Sequence, residues 1–309
     1  MSLRTRPHPF TRAEHPVATE FGIVTAALVG VYLWRELVAE LLPTVFGSPP
    51  VPGGLLVAGL VNGGVLLAGL AVLVGAYAAL RGIDIGLRLP TAADLPVAAL
   101  AMLTPVLLVA LTKLAALATG VPYGSLTKTS VAADAPVLPV LSVAALGLVL
   151  GVPALVLVCQ VLVQGSFTTV VDADAAVALT ILMTGFVMVS STGRLATVPD
   201  PGRLVGAVVL ALSLAVALYA SDRIDHDRLR YLGYVPVLVF GAIVVLSGVV
   251  AIESVAGGLY AATQLAVLGV AAYAYDRSGS ILVPTLAYAG LLLANRIVVV
   301  VFEAGIRGW

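Results

Sequence analysis

Val137–Gly165 reads VLPVLSVAALGLVLGVPALVLVCQVLVQG and contains no charged side chain. A helix rises about 1.5 Å per residue, so roughly 20 apolar residues cross a hydrocarbon core about 30 Å thick. The run is therefore read as a membrane span over 137–163. Its polar residues gather at one end. Cys159 is the only cysteine, and Gln160 and Gln164 are two of three glutamines. In hydrocarbon, water cannot satisfy such groups, so an intramembrane polar cluster marks a functional position by default.

Working outward, comparable apolar runs recur along the chain. They predict spans near 21–42, 54–80, 95–119, 175–192, 203–220, 234–252, 255–275 and 281–302. Together with 137–163 that makes eight or nine, the lower number applying if 234–275 is partly re-entrant. Composition agrees: 61% of residues are hydrophobic and 10% charged, with a mean hydropathy of +1.11. A soluble domain carries charge on about a quarter of its residues. No run alternates apolar and polar residues as a membrane β-barrel strand does. The expected fold class is all-α, a polytopic transmembrane helical bundle in contact with the lipid bilayer. Pro105 and Pro153 fall inside spans, where a missing N–H kinks a helix.

Arg and Lys positions set the expected orientation. With the N-terminus in the cytoplasm, Arg4, Arg6, Arg12, Arg81, Arg88, Arg223, Arg228, Arg230 and Arg277 lie inside. Lys128, Arg194, Arg203 and Arg307 lie outside. Residues 1–17 then form a cytoplasmic tail, and 18–309 a single integral membrane domain of the cell membrane. The first apolar run leads into Arg35 and Glu36 without a small-residue cleavage site, so it is read as a retained span.

Several function classes drop out. One cysteine makes no disulfide framework and no thiolate metal cluster. The net charge of zero and the lack of a long basic cluster argue against nucleic acid as a partner. The three histidines, His8, His15 and His226, all lie outside the spans. No buried imidazole pair is available to hold a metal, and no cofactor is expected.

The far end of the chain carries a family resemblance. Tyr275–Ala289, YDRSGSILVPTLAYA, resembles the last signature of the CAAX-protease and bacteriocin-processing (CPBP) intramembrane proteases. There, a short acidic-Arg-Thr-Gly-Ser loop opens a helix reading Pro-x-Leu-x-His. Leu80–Arg88, LRGIDIGLR, is similar to a loop common after the family's second helix. Cys159–Gly165 aligns without a gap on the family's Glu-Glu-x-x-x-Arg-Gly. The resemblance covers roughly 55–192 and 255–302.

That resemblance implies a CPBP-like core, yet every chemical position departs from the family pattern. Cys159 and Gln160 stand where the family has its two glutamates, and Gln164 where it has arginine. The second motif, Phe-x-x-x-His, keeps Phe186 but has Ser190 at the histidine. The last motif has Tyr288 at its histidine and Leu292 at its asparagine, with Asn295 three residues on. A second placement of the middle motif, on Ala251 and Val255, also lacks histidine. The stretch between Ser190 and Tyr288 is longer than the family's, which implies an extra hairpin. Ala217–Arg223 and Ala271–Arg277 share five of seven residues, read either as hairpin duplication or as ordinary span boundaries.

A neutral amide has no usable basicity near neutral pH, so Gln160 cannot replace a glutamate as general base. Cys159 lacks the base or cation that a catalytic thiol needs. Gln160 and Gln164 are four apart, on one helical face, and can reach across to Ser190 or Tyr288. Among the charges, Arg35, Glu36 and Glu40 are candidates to pair with Lys113, and Arg296 shares a face with Glu303. The mixed-charge segment Asp222–Arg230 is the best docking place for a soluble partner. The leading expectation is a catalytically inactive CPBP-like protein that keeps its cavity to bind a membrane segment, lipid or partner. Its mark would be Cys159, Gln160, Gln164, Ser190 and Tyr288 converging in one interior cavity. A transporter or permease is the alternative, and an active intramembrane endopeptidase with altered residues a minor one.

Overall fold

The computed structural model describes residues 15–46, 54–129, 137–190, 193–223, 234–250, 252 and 254–303. Its main elements are α1 (Pro16–Phe46), α2 (Gly54–Arg81), α3 (Leu95–Thr119), the short α4 (Tyr123–Thr127) and α5 (Val137–Val156). They continue with α6 (Gly165–Phe167), α7 (Ala173–Met188), α8 (Pro201–Arg223), α9 (Val235–Val250), α10 (Val255–Ser278) and α11 (Leu282–Ile297). Two π-helical segments, Leu157–Gln164 and Val298–Glu303, extend α5 and α11. Residues 224–230 of the expected docking segment and the alternative motif residue Ala251 lie outside the described residues.

Each of the nine apolar runs coincides with a helix. Seven of the resulting segments are long and apolar enough to cross a membrane. By the length and composition of its helices, the chain is a multi-pass membrane protein. The helices α7 and α9 have 16 residues each. At about 1.5 Å per residue they fall short of a ~30 Å core. What was read as one span over 175–192 ends as a helix at Met188, and residues 193–200 before α8 are irregular chain.

Packing follows residue size. Helix α3 lies against both α10 and α11, α1 against α2 and α8, and α2 against α5. Gly290 of α11 sits so close to α3 that a Cβ there would lie 3.0 Å from the Met102 carbonyl. Gly69 of α2 faces the Trp34 indole of α1, whose Nε1 donates to the Leu66 carbonyl at 3.1 Å. Small residues let helices approach where the surrounding lipid offers no hydrophobic drive to bring them together. The outward faces are apolar, with Val72, Leu114 and Leu238 all exposed. At the centre, Val158–Gln164 of the π segment is entirely buried among α1, α2, α7 and α10. Pro153 removes one backbone donor from the ladder just before this segment, and a π turn is where helices accommodate such irregularity.

The two loops that carry the family resemblance dock on each other. Leu87 and Ser280 form an isolated antiparallel bridge, and Ile281 N–H donates to the Gly86 carbonyl at 3.0 Å. The Tyr275 hydroxyl donates to the Asp84 carbonyl at 3.0 Å, and Ser280 Oγ donates to the Arg88 carbonyl at 2.7 Å. Arg88 in turn donates to the Ser278 carbonyl and pairs with Asp94. Gly86 adopts φ +69°, and a Cβ there would lie 2.8 Å from the Gly279 carbonyl oxygen. Gly86→Ala is therefore expected to cost about 2 kcal/mol, from left-handed strain plus a backbone clash. Equilibrium unfolding in mixed detergent and SDS micelles measures it, and an unchanged midpoint would show that the loops do not hold each other.

Candidate functional site

The Gln160 amide meets Tyr288 across the bundle core. Its Nε2 donates to the Tyr288 hydroxyl at 3.0 Å, and the hydroxyl lies 3.2 Å from Oε1, to which it can donate. Cys159 also touches this hydroxyl. All three side chains are completely buried. Gln164, one turn on, faces a different helix: its Nε2 donates to the Ala272 carbonyl of α10 at 2.9 Å. Its Oε1 is buried with no hydrogen-bond partner, a state that costs about 1–3 kcal/mol.

Three of the five residues expected to converge thus touch directly, and Gln164 lies on the same segment. Ser190 does not join them. It sits in the irregular chain after α7, where its N–H donates to the Arg194 carbonyl at 2.9 Å and its Oγ accepts from Arg194 N–H at 3.3 Å. Phe186 packs edge-on against Phe240 of α9 at 6.3 Å, with the Arg203 guanidinium over its ring. Leu292 is half-buried one turn beyond Tyr288. At this site the tyrosine ring and the amide pack directly against each other, with Cys159, Gln160 and Tyr288 each 0% exposed. The donors assembled there are a thiol, a phenol and neutral amides. That set lacks the carboxylate or imidazole a hard or borderline metal takes.

A second polar cluster lies at the end of the bundle nearest the α1 N-terminus. Glu20 pairs with Arg81, both largely buried. The carboxylate rests against Ser166. Ser166 Oγ donates to the Leu162 carbonyl at 2.6 Å, so the hydrogen of its 2.7 Å bond with Tyr77 comes from the tyrosine. The Arg81 guanidinium lies 6.0 Å from the Tyr77 ring centre. This cluster was readable in the sequence: Glu20 opens the first span and Arg81 closes the second, so antiparallel neighbours bring them to one side.

The other intramembrane charges pair differently from expectation. Lys113 bonds Glu303, not the acidic residues of α1, and Glu303 also accepts from the backbone N–H of Tyr123 at 3.2 Å. The π turn at Val298–Glu303 carries Glu303 round to α3 and α4, away from Arg296. Arg35 pairs with its own neighbour Glu36. Arg296 is exposed and lines a cavity of about 480 Å³ at the end of the bundle opposite Glu20. Leu292, Asn295 and Gln264 line it too, together with residues 194–201. Sequence reasoning missed this cavity, since half its wall is irregular chain without a periodic signal.

The contact between Gln160 and Tyr288 makes a clean stability prediction. Tyr288→Phe leaves both amide atoms of Gln160 buried without a partner and is expected to cost about 1–3 kcal/mol. Adding Gln160→Leu removes the orphaned group, so the double variant is expected to be more stable than the single one. A strictly additive result in SDS unfolding would show that the two side chains do not interact.

Comparisons with protein-family models, with curated proteins and with solved structures found no match to this chain.

Proposed function

We propose that this protein is a non-hydrolytic, multi-pass membrane protein that binds a membrane-derived ligand, built on a scaffold related to the CPBP intramembrane proteases. One observation carries the proposal. The positions corresponding to that family's acid–base groups hold a neutral Gln160–Tyr288 pair, fully buried and satisfied by itself. Peptide hydrolysis needs a group that takes a proton from water and one that returns it to the leaving amine. An amide and a phenol locked on each other in a closed core supply neither. Open volume lies farther along α11, in the cavity beside Leu292 and Asn295, and a ligand is assigned to it.

A permease reading has less support. Among the described residues, Gln160, Gln164 and Tyr288, which lie between that cavity and the Glu20–Arg81 pair, are each at most 1% exposed. The deciding experiment is cleavage of a quenched-fluorescent peptide library by the purified protein in proteoliposomes. No turnover above empty liposomes is expected. Turnover that disappears in Tyr288→Phe would overturn the non-hydrolytic reading.

A further inference from the structure

The cavity at the far end of the bundle is built unlike a packing defect. Its floor is apolar and buried at Leu291, while its rim carries the exposed guanidinium groups of Arg194 and Arg296. Among the described residues, neither arginine has a carboxylate partner. The one acidic residue lining it, Asp200, is engaged: its Oδ1 accepts from Arg203 N–H at 3.1 Å at the start of α8. The cavity is therefore net cationic.

Its neutral polar groups add hydrogen-bonding capacity. Asn295 Oδ1 accepts from the Tyr123 hydroxyl at 2.5 Å, and among the described residues its Nδ2 has no partner. Gln264 is 1% exposed, and its Nε2 makes a 3.5 Å contact with the Tyr260 carbonyl at the cavity wall. The start of α8 at Pro201 adds the partial positive charge of a long helix N-terminus to the same wall.

We propose that the cavity binds the phosphate of an anionic phospholipid headgroup. The forks of Arg194 and Arg296 take the phosphate oxygens, and the Asn295 amide donates to them. Guanidinium groups match phosphate geometry with paired bonds, and two of them suit a strongly anionic group better than a zwitterion. The glycerol and first acyl carbons then lie on the Leu66, Leu291 and Leu292 floor. That apolar floor distinguishes a lipid phosphate from a free one, since inorganic phosphate gains nothing from it. A volume of about 480 Å³ accommodates a headgroup and the start of its chains. The inference rests on the ligand-binding reading above and names the ligand class of that cavity.

The test uses full-length protein in a neutral detergent, titrated with dioctanoyl phosphatidic acid and followed by thermal unfolding and native mass spectrometry. Saturable stabilisation is expected, weakened at least about tenfold in Arg194→Gln/Arg296→Gln, the loss of two charge-assisted contacts. Arg277→Gln, a charge removed at the opposite end, is expected to bind as the wild type does. Dioctanoyl phosphatidylcholine is expected to bind at least about tenfold more weakly than phosphatidic acid. Equal binding of the two lipids, or an unaffected double arginine variant, would overturn the proposal. Inorganic phosphate matching phosphatidic acid would overturn the lipid assignment in favour of a soluble anion. Peptide turnover in the same preparation would instead overturn the non-hydrolytic reading and leave the binding result in place.

Discussion

Glu20→Gln is expected to destabilise the folded protein by about 3–5 kcal/mol, the cost of leaving a buried cation without its partner. The side chain of Glu20 is 3% exposed and that of Arg81 13%, so neither can recover its hydration without opening the helix ends. The Tyr77 ring lies beneath Arg81, and a ring face offsets roughly 0.5–2 kcal/mol of such a charge. Arg81→Met alone is expected to be costly for the mirror reason, a carboxylate left against Ser166. The double variant Glu20→Gln/Arg81→Met removes both charges and is expected to be more stable than either single one. That non-additivity, about 1–3 kcal/mol in a double-mutant cycle, is the signature of a desolvated pair. Unfolding in mixed micelles reads it directly. A Glu20→Gln loss below about 0.5 kcal/mol would mean the pair is solvated like a surface bridge.

That pair also shows which parts of the molecule were legible in the sequence. Apolar run length located every described long helix, because crossing hydrocarbon forces backbone bonds to close within one segment. Span order also carries the signal for Glu20 beside Arg81, a pairing the sequence reading did not draw. The meeting of Gln160 with Tyr288 was equally readable, from residues at facing positions of two buried helices. Ser190 was misplaced because α7 stops at Met188, and no apolar pattern announces where a short helix breaks into a turn. Lys113 was assigned to the wrong helix for a related reason. Its partner Glu303 arrives through a π turn, whose wider winding redirects a side chain in a way regular helical spacing does not anticipate. The cavity was invisible for both reasons together: irregular chain forms one wall, and the rim arginines, Arg194 in that chain and Arg296 on α11, share no period.

Placing charges at Gln160 and Gln164 tests whether the central site can support hydrolysis. Gln160→Glu places a carboxylate against the Tyr288 hydroxyl and Cys159, with no cation among their contacts. An isolated ion in such a site costs several kcal/mol even after relaxation, so a loss of about 3 kcal/mol or more is expected at pH 8. Gln164→Arg alone gives a cation whose nearest acceptor is the Ala272 carbonyl. Combined, the two substitutions are expected to lose less than the sum of the single ones, because opposite charges four residues apart on one helix attract. Hydrolysis is not expected to return. A lone carboxylate can polarise water, but the reaction also needs a second group within reach of the leaving nitrogen and room for a peptide. Ser190 belongs to a different part of the fold, and the Tyr288 ring occupies the space a scissile bond would need. Peptide cleavage by the Gln160→Glu/Gln164→Arg protein would show that the packed core opens to substrate, and that only charge had been lost from an otherwise working site.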